Sequence, residues 1–228
     1  MRLAPHHCRP AAFEHFAAQL PRIDSTEGLV HAAIAVSMHE LEDVEPSQID
    51  DELTSLAYSV RSRVRSKQPR AMLAHLHHVL FDEVGLRGNI EDYYAAQNSY
   101  LPSVLSTRQG LPIVLSLIYK SVAERVGLTA HGVNSPGHFL AAVELDDQWM
   151  FVDPFQRGRV VTRDEIGERV AQLTGQALLR PADAVPLATH RQWIARMLLN
   201  LIALFTREGP PEYLAAMNEL LALLEQTA

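Results

Sequence analysis

An α+β fold is predicted by three features of the chain. Apolar residues recur at helical spacing through most of the first half, the period turns strand-like just beyond Gly127, and helical spacing returns after residue 188. The predicted architecture is a mostly helical N-terminal half, a small antiparallel sheet and a C-terminal helical hairpin.

The first predicted helix runs over TEGLVHAAIAVSMHELEDV (26–44), opened by Thr26 and Glu27, with Leu29, Val30, Ala33, Ile34 and Leu41 apolar. PSQIDDELTSLAYSVRSRVRSK (46–67) follows. It places Leu53, Leu56, Ala57, Val60 and Val64 on one face, with acids in the first turn and bases in the last. A third helix starts past Pro69 and stops at Gly85, a common C-terminal signal. From Gly85 to Gly110 the periodicity fails, and the glycines, asparagines, hydroxyls and aromatics there predict a long functional loop. LPIVLSLIYKSVAERVGL (111–128) is apolar almost all round, as a helix buried on most sides must be. Pro112 suits its first turn, where the missing N–H is not needed.

Past Gly127, HFLAAVEL (138–145) and QWMFVDP (148–154) read as strands of a hairpin turned at Asp146-Asp147. GRVV (158–161) is a third strand and RDEIGERVAQL (163–173) a helix. After the Pro-containing LLRPADAVPL (178–187), two apolar stripes follow, Trp193 to Phe205 and Tyr213 to Leu224. They flank Gly209-Pro210-Pro211 and predict a helical hairpin over about 189–207 and 211–226, burying Trp193, Leu198 and Leu221. The expected division is one domain over 1–185 and the hairpin over 186–228.

Composition narrows the function classes. The 228 residues are 47% hydrophobic and 21% charged, enough apolar material for a core. A net charge of −7 and a pI near 5.9 argue against nucleic acid as a partner. One cysteine excludes an internal disulfide framework and a multi-cysteine zinc site. No apolar run is long enough for a membrane span and MRLAPHHCRP lacks a signal core, so a cytoplasmic protein is expected.

The densest chemistry lies in PGHFLAAVELDDQWMFVDPF. His138 enters one strand and Asp153 leaves the next, and cross-strand neighbours sit about 5 Å apart. Such a hairpin sets an imidazole beside a carboxylate, the arrangement that orients a base in nucleophile–His–acid catalysis. The plainer alternative is a strand-start histidine and an Asp-Pro turn.

With that order in view, the chain resembles the transglutaminase-like core, and more narrowly the bacterial SirB family, whose domain also occurs in some eukaryotic F-box proteins. The strings that carry the resemblance are FDEVGLRGN (81–89), NSYLPSVLSTRQGLPIVLSLIY (98–119), ERVGL (124–128), NSPGHFL (134–140) and VDPFQRG (152–158). It covers about residues 30–170 and implies a papain-like fold, a buried helix against an antiparallel sheet, with the terminal hairpin similar to a tetratricopeptide-like tail. The resemblance also implies a cysteine at the start of the central helix, where this chain has Gly110-Leu111-Pro112-Ile113. His138 and Asp153 match the second and third triad positions as a remnant; the nucleophile is missing.

Substitutes are few. Cys8, about 130 residues before His138, stands in HHCRP beside His6 and His7, and is expected to be an exposed, inert thiol in a frayed terminus. Ser103, Ser106, Thr107 and Ser116 lie near the helix start but are expected to bond to backbone. His75, His77 and His78, with Asp82 and Glu83, put His78 and Asp82 at an i, i+4 spacing that metal sites use, though a surface pair is the expectation and no metal is assigned. Arg61, Arg63, Arg65, Lys67 and Arg70 form a basic run, expected to be a solvated helix end. Tyr93, Tyr94 and Tyr100 either line a groove or fill core.

The expected function is a non-catalytic transglutaminase-like module, a pseudoenzyme that binds or regulates a protein or peptide partner, with no cofactor. The alternative is a hydrolase or acyltransferase of the same fold that uses His138 and Asp153 with a non-standard nucleophile.

Overall fold

A computed structural model of the chain describes residues 4–66, 68–146, 148–175 and 185–226. Asp147, Lys67 and residues 178–184 of the Pro-containing segment lie outside the described residues. The chain packs as two compact units, each made of non-contiguous segments.

One unit holds residues 1–49, 94–106 and 189–228. Its helices are α1 (Pro10–Gln19), α2 (Thr26–Met38), and the terminal pair that includes residues 190–226. Ser25 caps α2 by accepting the Gly28 N–H. The α1 helix was not among the predicted elements, although Pro10 opens it and Phe13 and Phe16 share its buried face. Tyr100, buried in this unit, donates its hydroxyl to Glu40 at 2.7 Å.

The other unit holds residues 50–93 and 107–188. Here α3 (Pro46–Arg61) ends six residues before the predicted Lys67 limit. Arg63 and Arg65 therefore leave the helix; Arg63 pairs with Glu83 at 2.7 Å and Arg70 with Asp146 at 2.7 Å. The predicted 69–85 helix is α4 (Pro69–His77) followed by a π-helical turn over His78–Glu83. The predicted loop is not structureless. It contains β1 (Arg87–Gly88), a 3₁₀ turn over Ala96–Ser99, α5 (Leu101–Thr107) with Pro102 in its first turn, and β2 (Gln109–Gly110), parallel to β1.

The central helix α6 (Pro112–Arg125) is buried over its first three turns, and Pro112 is its first residue. Lys120, almost wholly buried, pairs with Glu124 and donates to the Ala130 carbonyl, tying the helix end to the sheet. That sheet is formed by β3 (Ala130–Ser135), β4 (His138–Leu145), β5 (Gln148–Asp153), β6 (Arg159–Val161) and β7 (Leu187–Ala188). Its order is β6-β5-β4-β3-β7, antiparallel at every pairing. The β4–β5 hairpin closes with Leu145 opposite Gln148, as predicted.

Alternation along the strands divides the sheet into two faces. Val133, Leu140, Ala142, Phe151 and Val161 point to one face, where Ile166 and Val170 of α7 (Arg163–Thr174) complete an apolar cluster. Thr162 and Glu165 form a reciprocal capping box at the start of α7. The α6 helix packs on β3 and β4 without joining that cluster, so it covers the other face, where Phe139, Ala141 and Val143 are buried.

Candidate functional site

His138 is the first residue of β4 and Asp153 the last of β5. The β4–β5 register, Ala142 opposite Phe151 and Ala141 opposite Val152, puts both side chains on the same face. They meet there: His138 Nε2 lies 2.9 Å from Asp153 Oδ2. An ionised carboxylate only accepts, so Nε2 donates in this bond.

Asp153 has no exposed surface. Oδ1 accepts the N–H groups of Phe155 and Gln156, and Oδ2 accepts His138 and the Gln156 side-chain amide at 2.8 Å. Burial alone would raise this carboxyl's pKa, yet the His138 hydrogen bond and charge, the Gln156 N–H and the nearby Arg169 hold it below the usual carboxylate value. The chain delivers these donors by turning at Pro154 into a short 3₁₀ segment, Pro154–Gln156, with Asp153 as its cap. Arg157 and Gly158 then adopt left-handed backbone, and the Gly158 N–H returns to the Asp153 carbonyl.

The direction in which the pair looks departs from expectation. Reading His138 and Asp153 as a triad remnant predicts that they face the start of α6. The period-2 register instead turns them to the α7 face, and the recess beside the imidazole is walled by α7 residues Glu165, Ile166 and Arg169. The link to the start of α6 passes through Phe155. Its ring meets His138 edge-on at 5.9 Å and Tyr93 at 5.9 Å. It also lies so close to Gly88 that an added Cβ there would be 2.4 Å from the ring. Gly88 in turn pairs with Gly110.

No nucleophile is built at that helix start. Leu111 precedes the helix without a side-chain cap, and Pro112 occupies the first position. Thr107 bonds its own turn, donating to the Gln109 carbonyl. Ser116 is fully buried, and its hydroxyl has no hydrogen-bond partner among the described residues, hence no base to activate it. Ser103 and Ser106 belong to the other compact unit.

Cys8 corrects an expectation. It is buried, not exposed, because the N–H groups of His6, His7 and Cys8 all donate to the Glu219 carboxylate and pin the segment down. Burial, helped by the Glu219 charge, pushes the thiol up to about 12, the opposite of an activated nucleophile. It too lies in the other unit.

The histidine cluster divides. His77 points inward to the Tyr119 hydroxyl at 2.8 Å, and burial lowers it to about 4. His78 stays at the surface between Asp82 and Glu83, each at 3.2 Å. Among the described residues no three His, Cys, Asp or Glu side chains converge as a metal would require. Tyr100 fills core, while Tyr94 is exposed, with Arg207 5.1 Å above its ring. Gln156, Phe155 and Arg169 were missed from sequence. VDPFQRG signals the first two only as neighbours of Asp153, and Arg169 reads as one more charge on an amphipathic helix.

Comparison with known proteins agrees with these elements. A family model described as the transglutaminase-like superfamily matches residues 47–199. A UPF0162 protein of Xylella fastidiosa is 34% identical over 190 residues, which are 80% of this chain and 66% of that protein. The chain thus spans just under two thirds of that relative's length. A UPF0162 protein of Pseudomonas aeruginosa is 29% identical over 200 residues, 86% of this chain and 71% of the relative. F-box only protein 21 of mouse is 33% identical over 147 residues, 60% of this chain but 22% of the mouse protein. No solved structure matches. No helix among the described residues is long and apolar enough to cross a membrane. With the family model matched over residues 47–199 and an α6–sheet core in which the helix, the histidine strand and the aspartate strand follow in that order, this chain belongs to the transglutaminase-like superfamily.

Proposed function

We propose that this chain is a non-catalytic transglutaminase-like module that holds a protein or peptide segment at the sheet face carrying His138 and Asp153. The observation that carries the reading is the start of α6, where Pro112 stands and no thiol or activated hydroxyl is available among the described residues. The sole thiol is buried elsewhere with a raised pKa. The mouse relative supports a modular role, since its matching region is 22% of a much longer protein.

A second reading has one observation in its favour. Asp153 is buried, held ionised and bonded to His138 Nε2, so a carboxylate orients the imidazole. That arrangement suits general acid–base chemistry in a hydrolase or acyltransferase with an external nucleophile such as water. The deciding experiment is an acyl-transfer and amide-hydrolysis screen, run beside selection from a peptide display library, on wild type and His138→Ala. The binding reading expects no turnover and peptides retained by wild type but lost by the variant. Turnover in wild type that disappears in His138→Ala would overturn it.

A further inference from the structure

Ser135, His138, Arg159, Glu165 and Arg169 surround a recess of about 20 Å³ with an apolar floor. Its two cations differ. Arg159 donates to Glu165 at 2.5 Å and is neutralised there. Arg169, with 36% of its side chain exposed, forms an ion pair with Asp153 Oδ2 at 3.6 Å, beyond hydrogen-bond reach, and makes no hydrogen bond among the described residues. The cause is the saturation of Asp153. A carboxylate offers about four acceptor sites, and those of Asp153 are taken by Phe155, Gln156 twice and His138. Arg169 therefore presents a planar fork of donors, without acceptors, to a recess that abuts the imidazole.

Resting on the docking reading above, we infer that Arg169 anchors a carboxylate of the bound segment in this recess. An Arg fork matches a carboxylate with two parallel bonds. The size of the recess suits the group. About 20 Å³ accepts one or two water-sized atoms, enough for carboxylate oxygens. The charge pattern selects against a phosphate, whose second negative charge would sit against Glu165 and Asp153. What Arg169 offers a single carboxylate is its hydrogen-bond donors, which no hydrogen bond among the described residues uses.

The test uses the full chain, with His138 imidazole resonances followed by NMR during titration. The probes are N-acetylglycine for a terminal carboxylate, N-acetylglutamate α-amide for a side-chain carboxylate, and N-acetylglutamine amide as the neutral control. Saturable shifts from one or both carboxylates and none from the amide are expected; which of the two binds more tightly tells a chain terminus from an acidic side chain. Arg169→Gln should weaken the carboxylate by about tenfold or more, and Arg169→Lys should keep part of the affinity. Both variants should retain the wild-type far-ultraviolet circular dichroism. Equal binding of the neutral amide, unchanged binding in Arg169→Gln, or no saturable shift from either carboxylate would overturn the inference. Neutral peptides retained in a His138-dependent way would then leave the docking reading standing while carboxylate anchoring fell. Saturable carboxylates with no peptide retained would uphold the anchor and remove the docking reading.

Discussion

Both oxygens of Asp153 are fully bonded, and the residue has no exposed surface, so substitution there leaves buried donors unpaired. Asp153→Asn replaces acceptors with an amide that must turn donors toward His138 or Gln156. A loss of about 2–4 kcal/mol at pH 7 is expected. The folded pKa lies below the ordinary 3.8, so the ionised form contributes stability above that value, and the contribution is lost as pH falls through the depressed one. The gap between wild type and variant should therefore narrow in acid. Urea melts at neutral and acidic pH measure this, and a gap that does not change with pH would contradict it. Cys8 titrates in the opposite sense. Its raised pKa favours the folded state while the thiol stays protonated, and that preference is lost as pH rises from the ordinary 9.0 toward about 12. At pH 8 iodoacetamide should alkylate the native chain at least about a hundredfold more slowly than the unfolded chain. Equal rates would mean that the Glu219 clasp over His6, His7 and Cys8 does not hold in solution.

At the scale of elements, what was legible in the sequence followed the strength of its local signal. The α6 helix, the β4–β5 hairpin, α7 and the terminal helices announce themselves by long apolar periods and by caps such as Thr189 with Gln192. The β3 strand, AHGVNS, has no alternation to read, because it is set by pairing with β4 on one side and β7 on the other. The α5 helix is a seven-residue piece inside a glycine-marked loop, too short for a period to show. His138 and Asp153 were legible because a hairpin fixes their distance. Their orientation toward α7 was not, since it depends on register and on which helix covers which face. Glycines sharpen the same point. Gly85 and Gly158 both have positive φ, 78° and 76°, but a Cβ at Gly85 meets nothing within 4 Å while one at Gly158 would lie 2.2 Å from the Phe81 ring. Gly85→Ala should cost about 1 kcal/mol from backbone strain, and Gly158→Ala about 2–3 kcal/mol because the Phe81 ring must also move. Calorimetric melting temperatures ordered the other way would refute the close contact.

For the molecule as a whole, the question is whether the terminal hairpin is an appendage. The α8 helix (His190–Glu208) and α9 (Pro211–Gln226) run antiparallel: Arg191 at the start of α8 donates to the Leu224 carbonyl near the end of α9, and the Phe205 and Tyr213 rings meet at 5.6 Å by the turn. Trp193 and Leu198 have no exposed surface, as predicted, whereas Leu221 is half-buried and Leu220 takes the core position. What buries this stripe is the chain's other end. The α2 helix packs on α8, α1 packs on α9, and His190 bonds the Ile23 carbonyl at 2.9 Å, so the first compact unit joins residues 1–49 to 189–228. Removing everything after Ala188 would uncover the side of α2 that packs on α8, on a helix whose Leu29, Val30 and Ile34 are all fully buried now. An apolar face of that extent is not stable in water. The truncated chain should lose a cooperative unfolding step and self-associate, and the excised 189–228 peptide should be largely unfolded, since short helices depend on tertiary packing. Circular dichroism melts and light scattering on the two pieces read this directly. A monomeric truncation with the full-length melting temperature, or a peptide as helical alone as in the chain, would show that the hairpin folds without its N-terminal partners.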